Sequence, residues 1–217
     1  MASFPELPRG STRRGAGMVL AGLVGAIAAL LIAGWSDAPR DDSAEAGFAR
    51  DMATHHAQAV EMSLVIRDKS SDEDLRTLAY DITVTQSTQR GIFMGWLQAW
   101  GLPQASTAPR MTWMPGHAPV ERGANAGMPL MHGMASDDER QRLRVAQGID
   151  AEILFLQLMV RHHEGGVLMA RAVSTMSGRA DVIGMAKSIE DGQRAEIVQM
   201  TEMLSKRGAQ PYASLLE

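Results

Sequence analysis

Two short clusters of histidine and methionine contain residue types that bind metal ions. In each cluster, a methionine lies three residues before an adjacent pair of histidines. The first cluster is Met52, His55 and His56, and the second is Met159, His162 and His163. On an α-helix, positions i, i+3 and i+4 share one face within about one turn, so each cluster can converge on a single ion.

The donor atoms of these clusters favour a soft or borderline metal. The sequence has 16 methionines and no cysteine, so thioether sulfur and imidazole nitrogen take the place of thiolate. Methionine suits Cu(I), imidazole suits both copper states, and copper has the highest affinity of the divalent first-row metals. Zinc prefers histidine with carboxylate or cysteine, and di-iron bundles use Glu-x-x-His motifs that this sequence lacks. Copper is the predicted ion, ahead of zinc and then iron.

Other side chains could complete these sites. The additional predicted ligands are Met62, Met169, Met200 and Glu196. Met62 follows His55 by seven residues, about 10 Å along a helix axis, so it would serve a second site or only packing. Packing is the commoner role for a methionine at helical spacing. Glu196 could be a ligand, or it could accept the ring N–H of a metal-bound imidazole.

The long connection between the two clusters, residues 102–135, is rich in proline, glycine and methionine. Its candidate ligands are Met128, Met131, His132 and Met134. This composition resembles the methionine-rich segments of copper carriers, and incidental methionines in a disordered Pro/Gly-rich linker would give the same pattern. A connection of this length is either functional or disordered.

The clusters belong to an internal repeat. At an offset of 107 residues, Phe48 aligns with Phe155, Gln86 aligns with Gln193, and each member of the first cluster aligns with a member of the second. A constant offset over such a length indicates a duplication, so a site made by one half should be approximated by the other.

Each half has the pattern of a helical hairpin, with apolar residues at steps of three and four on both sides of a polar break. The sequence therefore predicts an all-α protein, an antiparallel four-helix bundle over residues 44–208. The hairpins are predicted at residues 44–101 and 136–208. Folding each half about its break would place four polar residues opposite the clusters: Gln86 opposite His55, Gln89 opposite Met52, Gln193 opposite His162 and Glu196 opposite Met159. A glutamine oxygen there could accept the ring N–H of a bound histidine.

An apolar segment near the N-terminus predicts export from the cytoplasm. Residues 15–36 carry no charge, and as a helix they would span roughly 33 Å, about the hydrocarbon thickness of a bilayer. Arg13 and Arg14 precede this segment and Asp37 follows it, so the positive-inside rule places the rest of the chain outside the cytoplasm. Residues 1–36 are predicted to be a signal anchor in the membrane or a cleaved signal peptide, with a buried core helix as the alternative. The predicted location is the cell envelope.

The composition excludes several classes of protein. The lack of cysteine excludes disulfides, zinc–thiolate sites, iron–sulfur clusters and thiol nucleophiles. The formal net charge of −4 at pH 7 argues against a nucleic-acid partner, which would need a basic face. The side chains show no nucleophile, base and orienting group in combination, so the sequence does not predict an enzyme.

The two halves resemble the helical family called domain of unknown function 305. Its pattern runs Phe-x3-Met-x2-His-His-x5-Met and, one hairpin later, Gln-x2-Glu-Ile-x2-Met-x2-Trp-Leu. The second half matches with Phe155, Met159, His162, His163, Met169, Gln193, Glu196, Ile197, Met200 and Leu204. The first half departs at Gln89, where the family has Glu, and at Phe93, where it has Met. In the second half Met203 replaces the family's Trp. The resemblance covers most of residues 44–208.

The resemblance implies a ferritin-like four-helix fold and, for members with an assigned role, extracytoplasmic copper binding linked to copper tolerance. The leading hypothesis is an exported or membrane-anchored protein that sequesters copper or transfers it to a partner protein. A ferritin-like metal oxidoreductase and a non-metal interaction module remain as alternatives. Because the reference pKa of histidine is about 6.5, copper binding is expected to weaken below that pH.

Overall fold

The architecture is all-α. The computed structural model describes residues 38–114, 116 and 131–216, and these contain five α-helices and no strand. Within these residues, no helix has the length and apolar character needed to cross a membrane. The predicted N-terminal helix, residues 15–36, and the candidate ligand Met128 lie outside the described residues.

Four long helices and one short helix follow the repeat. They are α1 (Ala44–Lys69), α2 (Glu73–Ala99), α3 (Asp137–Val145), α4 (Gly148–Met176) and α5 (Ala180–Lys206). Three helices begin at side chains that accept a backbone N–H, which is otherwise unpaired in the first turn. Ser43 caps α1, Asp72 caps α2, and Ser136 forms a capping box with Glu139 at the start of α3.

The helices pack as two antiparallel hairpins, and the first helix of one hairpin, α1, packs on the first long helix of the other, α4. In α1 and α2, the rings of Phe48 and Phe93 meet edge to face at 5.5 Å, although these residues lie near opposite ends of the hairpin sequence. Helix α4 packs on α5 in the same way, and α1 packs on α4. Ser70, just after α1, donates to Glu152 near the start of α4, so α1 and α4 are also antiparallel. Helices α1 and α4 thus form the central pair.

The repeat extends to individual contacts outside the histidine clusters. Arg50 of α1 donates from Nε to the carbonyl of Pro103, at 2.9 Å. Its counterpart Gln157 of α4 donates from Nε2 to the carbonyl of Gln210, at 2.8 Å. Two different side chains therefore fix the chain that follows α2 and α5 in equivalent positions.

The core consists of two apolar clusters at different heights along the central helices. One contains α1 residues from Ala59 to Ile66 and α4 residues from Ala151 to Val160. The other contains α1 residues from Ala46 to Ala53 and α4 residues from Met169 to Val173. On both helices the histidine pair falls between the two clusters, so the histidines occupy a polar layer within an apolar interior.

A short stretch before α3, the 131–135 segment, lies directly against this layer. The side-chain amide of Gln58 makes two hydrogen bonds to the backbone of Ala135, at 2.7 and 2.9 Å. Gly133, within the segment, has φ of 77°. Gly165 lies on α4, and a Cβ at this position would be 2.0 Å from the carbonyl oxygen of His132. The close approach of the segment to α4 therefore requires glycine at position 165.

Replacing Gly165 with alanine tests this approach. We expect Gly165→Ala to lower the free energy of unfolding by about 1–3 kcal/mol, because the new methyl group overlaps a backbone oxygen that cannot rotate away. Gly192→Ala on α5 is the matched control, since nothing lies within 4 Å of its added Cβ. The control should gain up to about 1 kcal/mol from the higher helix propensity of alanine. Urea unfolding measures both, and equal gains for the two variants would contradict the predicted overlap.

Candidate metal centre

Four imidazole rings form a row across the two central helices. His55 and His56 project from α1, and His162 and His163 project from α4; all four side chains are fully buried. The rings of His55 and His162 meet in the middle with centroids 3.7 Å apart. The outer rings of His56 and His163 lie 6.5 and 6.2 Å from their neighbours in sequence. The structure therefore brings the predicted histidines of both halves together.

One nitrogen of every ring, Nε2, faces an oxygen atom. The acceptors are the carbonyl of His132 for His55 (3.2 Å), the carbonyl of His55 for His162 (3.1 Å), Oε1 of Gln89 for His56 (2.8 Å) and Oε2 of Glu196 for His163 (2.7 Å). Because carbonyl and carboxylate oxygens only accept, the proton of each neutral ring is assigned to Nε2. The lone pair is then on Nδ1.

Each Nδ1 is buried and has no hydrogen-bond partner among the described residues. A buried polar atom without a partner costs free energy, and most such atoms in folded proteins are paired. A neutral imidazole nitrogen whose opposite N–H is held by an acceptor is also the usual form of a metal-binding histidine. Each of these nitrogens therefore has the form of an imidazole donor to a metal.

Burial keeps three of these rings, those of His55, His56 and His162, uncharged. Removal from water lowers the pKa of His55 and of His56 to about 3, and neighbouring imidazoles add to this effect. The pKa of His162 is also well below the ordinary value, mainly through burial. At these three rings, competition between protons and a metal therefore begins at a much lower pH than 6.5 in the folded protein.

The glutamines predicted to support the histidines are displaced from them. Gln89 rather than Gln86 reaches a histidine of α1, and Glu196 rather than Gln193 reaches a histidine of α4. Each side chain tilts toward the N-terminus of its own helix. In an antiparallel pair, two side chains that touch therefore belong to residues slightly C-terminal, on each helix, to the two residues whose backbones lie at the same height. The predicted placement of Gln89 opposite Met52 and of Glu196 opposite Met159 neglected this tilt.

The displaced amides are themselves unusual. Both polar atoms of Gln86 and both of Gln193 are buried without a hydrogen-bond partner among the described residues. The Gln193 oxygen lies only 2.2 Å from where a Cβ on Gly166 would stand. The repeat thus places two unpaired amides in equivalent positions beside the histidine layer, one on each flanking helix.

The five predicted methionine ligands of the long helices are buried, and they divide between the two apolar clusters. Met52 and Met169 belong to one cluster, whereas Met62, Met159 and Met200 belong to the other. Because α1 and α4 are antiparallel, the early methionine of one half shares a cluster with the late methionine of the other. Thioethers therefore flank the imidazole row on both sides.

The described residues of the long connection lie close to the centre. Met131 is buried in the cluster of Met52, and Met134 packs against that cluster. His132 contributes its backbone carbonyl to His55. The sequence did not identify this carbonyl, or Gln58, as parts of the site. The adjacent glycines Gly165 and Gly166 inside a helix are the available signal, because they indicate a close approach of other groups.

Histidine and carboxylate side chains alone do not provide a complete ligand set. In the described part of the chain, no three His, Asp or Glu side chains are grouped so that they could hold one ion. Glu196 has an oxygen engaged by His163, which fits the acceptor role that the sequence left open.

The chain matches a known family and solved structures of its members. The model of the family described as Domain of unknown function (DUF305) matches residues 45–204, so the chain belongs to this family. A DUF305 protein from Streptomyces coelicolor is 44% identical with a TM-score of 0.71, over 80% of this chain and 99% of that chain. A DUF305 fragment from Deinococcus radiodurans is 32% identical with a TM-score of 0.62, over 75% of this chain and 96% of that chain. The resemblance predicted from the sequence is confirmed.

A more distant similarity is to CopM, solved in a Cu(II)-bound form. It is 24% identical with a TM-score of 0.59, over 76% of this chain and 97% of that chain. At this identity the similarity shows a shared fold. No curated protein matches the chain.

The lowered histidine pKa values predict acid sensitivity of the metal-free protein. Between pH 6.5 and about 3, the unfolded chain binds protons at His55 and His56 that the folded state excludes. Their contribution to stability is therefore complete above pH 6.5 and is lost as the pH falls, by about 1.4 kcal/mol per pH unit for each such histidine. Urea unfolding in chelator at pH 7, 6 and 5 measures this slope.

The variant His56→Gln isolates one contribution to that slope. Glutamine can still donate to Gln89 but does not titrate. The free energy of unfolding of the variant should therefore fall less steeply with decreasing pH than that of the parent protein. The same slope in both proteins would contradict a buried neutral His56.

Proposed function

We propose that this DUF305 protein is an extracytoplasmic copper-binding protein that sequesters copper or transfers it to a partner protein. The observation that carries the proposal is the row of four buried imidazoles, each with Nε2 held by an oxygen and Nδ1 without a partner. Such rings are held in a fixed orientation, and a neutral imidazole with a free nitrogen is the form that binds a metal.

Copper is the ion that best suits the available donors. The interior offers imidazole nitrogen and thioether sulfur without thiolate, a combination that favours copper over zinc and iron. Further support comes from CopM, which shares the fold and has been solved in Cu(I)-bound and Ag-bound forms as well as with Cu(II). Silver(I) has the soft character of Cu(I), and it is a useful probe for thioether sites.

The proposed ligands come from both halves. The imidazole ligands are His55, His56, His162 and His163, and the thioether ligands are Met52, Met62, Met159, Met169 and Met200. Glu196 is assigned as the acceptor that orients His163. Gln86 and Gln193, whose amides are buried without a hydrogen-bond partner among the described residues, are proposed as acceptors of a ring N–H in the metal-bound protein. Met131, His132 and Met134 are proposed as accessory ligands during uptake or transfer.

Complete burial favours sequestration over catalysis. Storage sites need no open coordination position, whereas a metal oxidoreductase must admit its substrate to the ion. The four histidines are entirely removed from solvent. We further propose that the two hairpins form a ferritin-like four-helix bundle, supported by their antiparallel packing and the central contact of α1 with α4.

The proposed location is the cell envelope, supported by the uncharged residues 15–36 and the arginines that precede them. If this segment is retained, the protein is anchored in the membrane with its helical domain outside the cytoplasm; if it is cleaved, the domain is exported. We expect fractionation of cells expressing the full chain to recover it from the envelope or the medium. Recovery only from the cytoplasm would contradict this part of the proposal.

Copper titration of histidine variants tests the proposed ligands. The purified protein should bind Cu(I) and Cu(II) and gain stability, by about 2.7 kcal/mol when free copper is 100-fold above the dissociation constant. The variants His55→Ala/His56→Ala and His162→Ala/His163→Ala should each lose part of the bound copper and part of the rise in melting temperature. An unchanged melting temperature of the parent protein in excess copper would favour a non-metal role, and oxygen consumption with added Fe(II) would favour an oxidoreductase.

The thioether ligands are tested in the same titration with Ag⁺. Met52→Leu and Met159→Leu nearly conserve side-chain volume, so they should change stability little while weakening Ag⁺ binding. Met176→Leu is the matched control because Met176 is exposed and belongs to neither apolar cluster. Equal silver affinity in all three variants would show that the thioethers of Met52 and Met159 are not ligands.

A further inference from the structure

The outer histidines of the row have equivalent surroundings in the two halves. His56 of α1 and His163 of α4 each donate from Nε2 to a residue 33 positions later, on the flanking helix. The two distances are 2.8 and 2.7 Å, and both rings are fully buried with Nδ1 unpartnered among the described residues. The hydrogen-bond geometry of the outer histidines therefore does not distinguish the halves.

The two acceptors differ in charge. The acceptor for His56 is the neutral amide of Gln89, whereas the acceptor for His163 is the carboxylate of Glu196. No Lys or Arg of the described residues forms an ion pair with Glu196, so its charge is directed at the imidazole. Its side chain is only 22% exposed, which limits screening of that charge by water.

A carboxylate acceptor changes what the ring offers to a metal. It draws the Nε2 proton toward itself and raises the electron density, and hence the basicity, of Nδ1. It also adds a negative charge near any bound ion, and the Coulomb energy with a divalent cation is twice that with a monovalent cation at the same distance. Both effects favour the more highly charged ion.

We propose that Glu196 and Gln89 are positioning residues that give the halves different preferences for the charge of the metal. The His163 half, backed by Glu196, favours Cu(II), and the His56 half, backed by Gln89, favours the monovalent Cu(I). This inference rests on the proposed copper function. It makes the two halves of one duplicated centre unequal in specificity although their outer histidines have the same hydrogen-bond geometry.

Exchanging the acceptors tests the inference. The His163 half is measured in a His56→Ala background and the His56 half in a His163→Ala background, with Cu²⁺ in air and with Ag⁺ as a monovalent probe that does not change oxidation state. Glu196→Gln should weaken Cu²⁺ binding to the His163 half by about 10- to 100-fold, the usual effect of removing such a partner, and Ag⁺ binding by less. Gln89→Glu should raise the ratio of Cu²⁺ to Ag⁺ affinity in the His56 half.

Glu190→Gln is the matched control for charge. Glu190 lies on the same helix and is 25% exposed, but it pairs with Arg171 and Arg194 rather than with a histidine. The control should leave the ratio unchanged. An equal effect of Glu190→Gln and Glu196→Gln, or equal changes of Cu²⁺ and Ag⁺ affinity in the exchanged variants, would overturn the inference.

The outcomes also separate this inference from the proposed function. If the parent protein binds neither Cu²⁺ nor Ag⁺, the copper function itself is refuted. If it binds both and the exchanges leave the ratio unchanged, only the inference about the acceptors is refuted. Should Glu196→Gln fail to fold, the gain expected from Gln89→Glu still decides the question.

Discussion

The structure depends on how four imidazoles are accommodated inside an apolar interior. A buried imidazole must remain neutral, and its N–H needs an acceptor that water no longer supplies. Two outer rings use side chains from the flanking helices, and two inner rings use backbone carbonyls. The inner ring of His162 reaches the carbonyl of His55 on the facing helix. This hydrogen bond joins α1 to α4, and the glycines beside the layer make room for the 131–135 segment and for Gln193.

Much of the helical framework could be predicted from the sequence, because the duplicated spacing of apolar residues is a local property. The second hairpin, predicted within residues 136–208, has its long helices at Gly148–Met176 and Ala180–Lys206. The histidine acceptors were harder to predict. The side-chain tilt shifts each contact along the helix, which moved the partner from Gln86 to Gln89. The carbonyl of His132 was harder still to predict, because packing of the 131–135 segment is a long-range contact without a periodic signal. The adjacent glycines Gly165 and Gly166 indicate a close approach but do not identify the group that makes it.

Duplication explains the equal spacing of the two halves but not their unequal chemistry. Equivalent positions keep a function while changing the side chain, as with Arg50 and Gln157, which both fix a carbonyl that follows the next helix. The 131–135 segment supports only His55, since His162 uses the carbonyl of His55 instead. The inner rings are therefore also unequal. A symmetric arrangement of helices thus holds a centre whose individual positions can acquire separate preferences.

The unpaired nitrogens are available to bind a metal, but they lower the stability of the metal-free fold. Each buried polar atom without a partner costs about 1–3 kcal/mol, and a domain has a net stability of only about 5–15 kcal/mol. Polar contacts elsewhere must offset part of that cost. Arg207, after α5, donates to Glu152 at 2.9 Å and to Asp72 at 2.7 Å, while Ser70 donates to Glu152 at 2.6 Å. This partly buried network joins the turn of one hairpin to the start of α4 and the end of α5. It lies well away from the histidine layer along the helices, so it can hold the hairpins together without occupying the nitrogens that a metal would use.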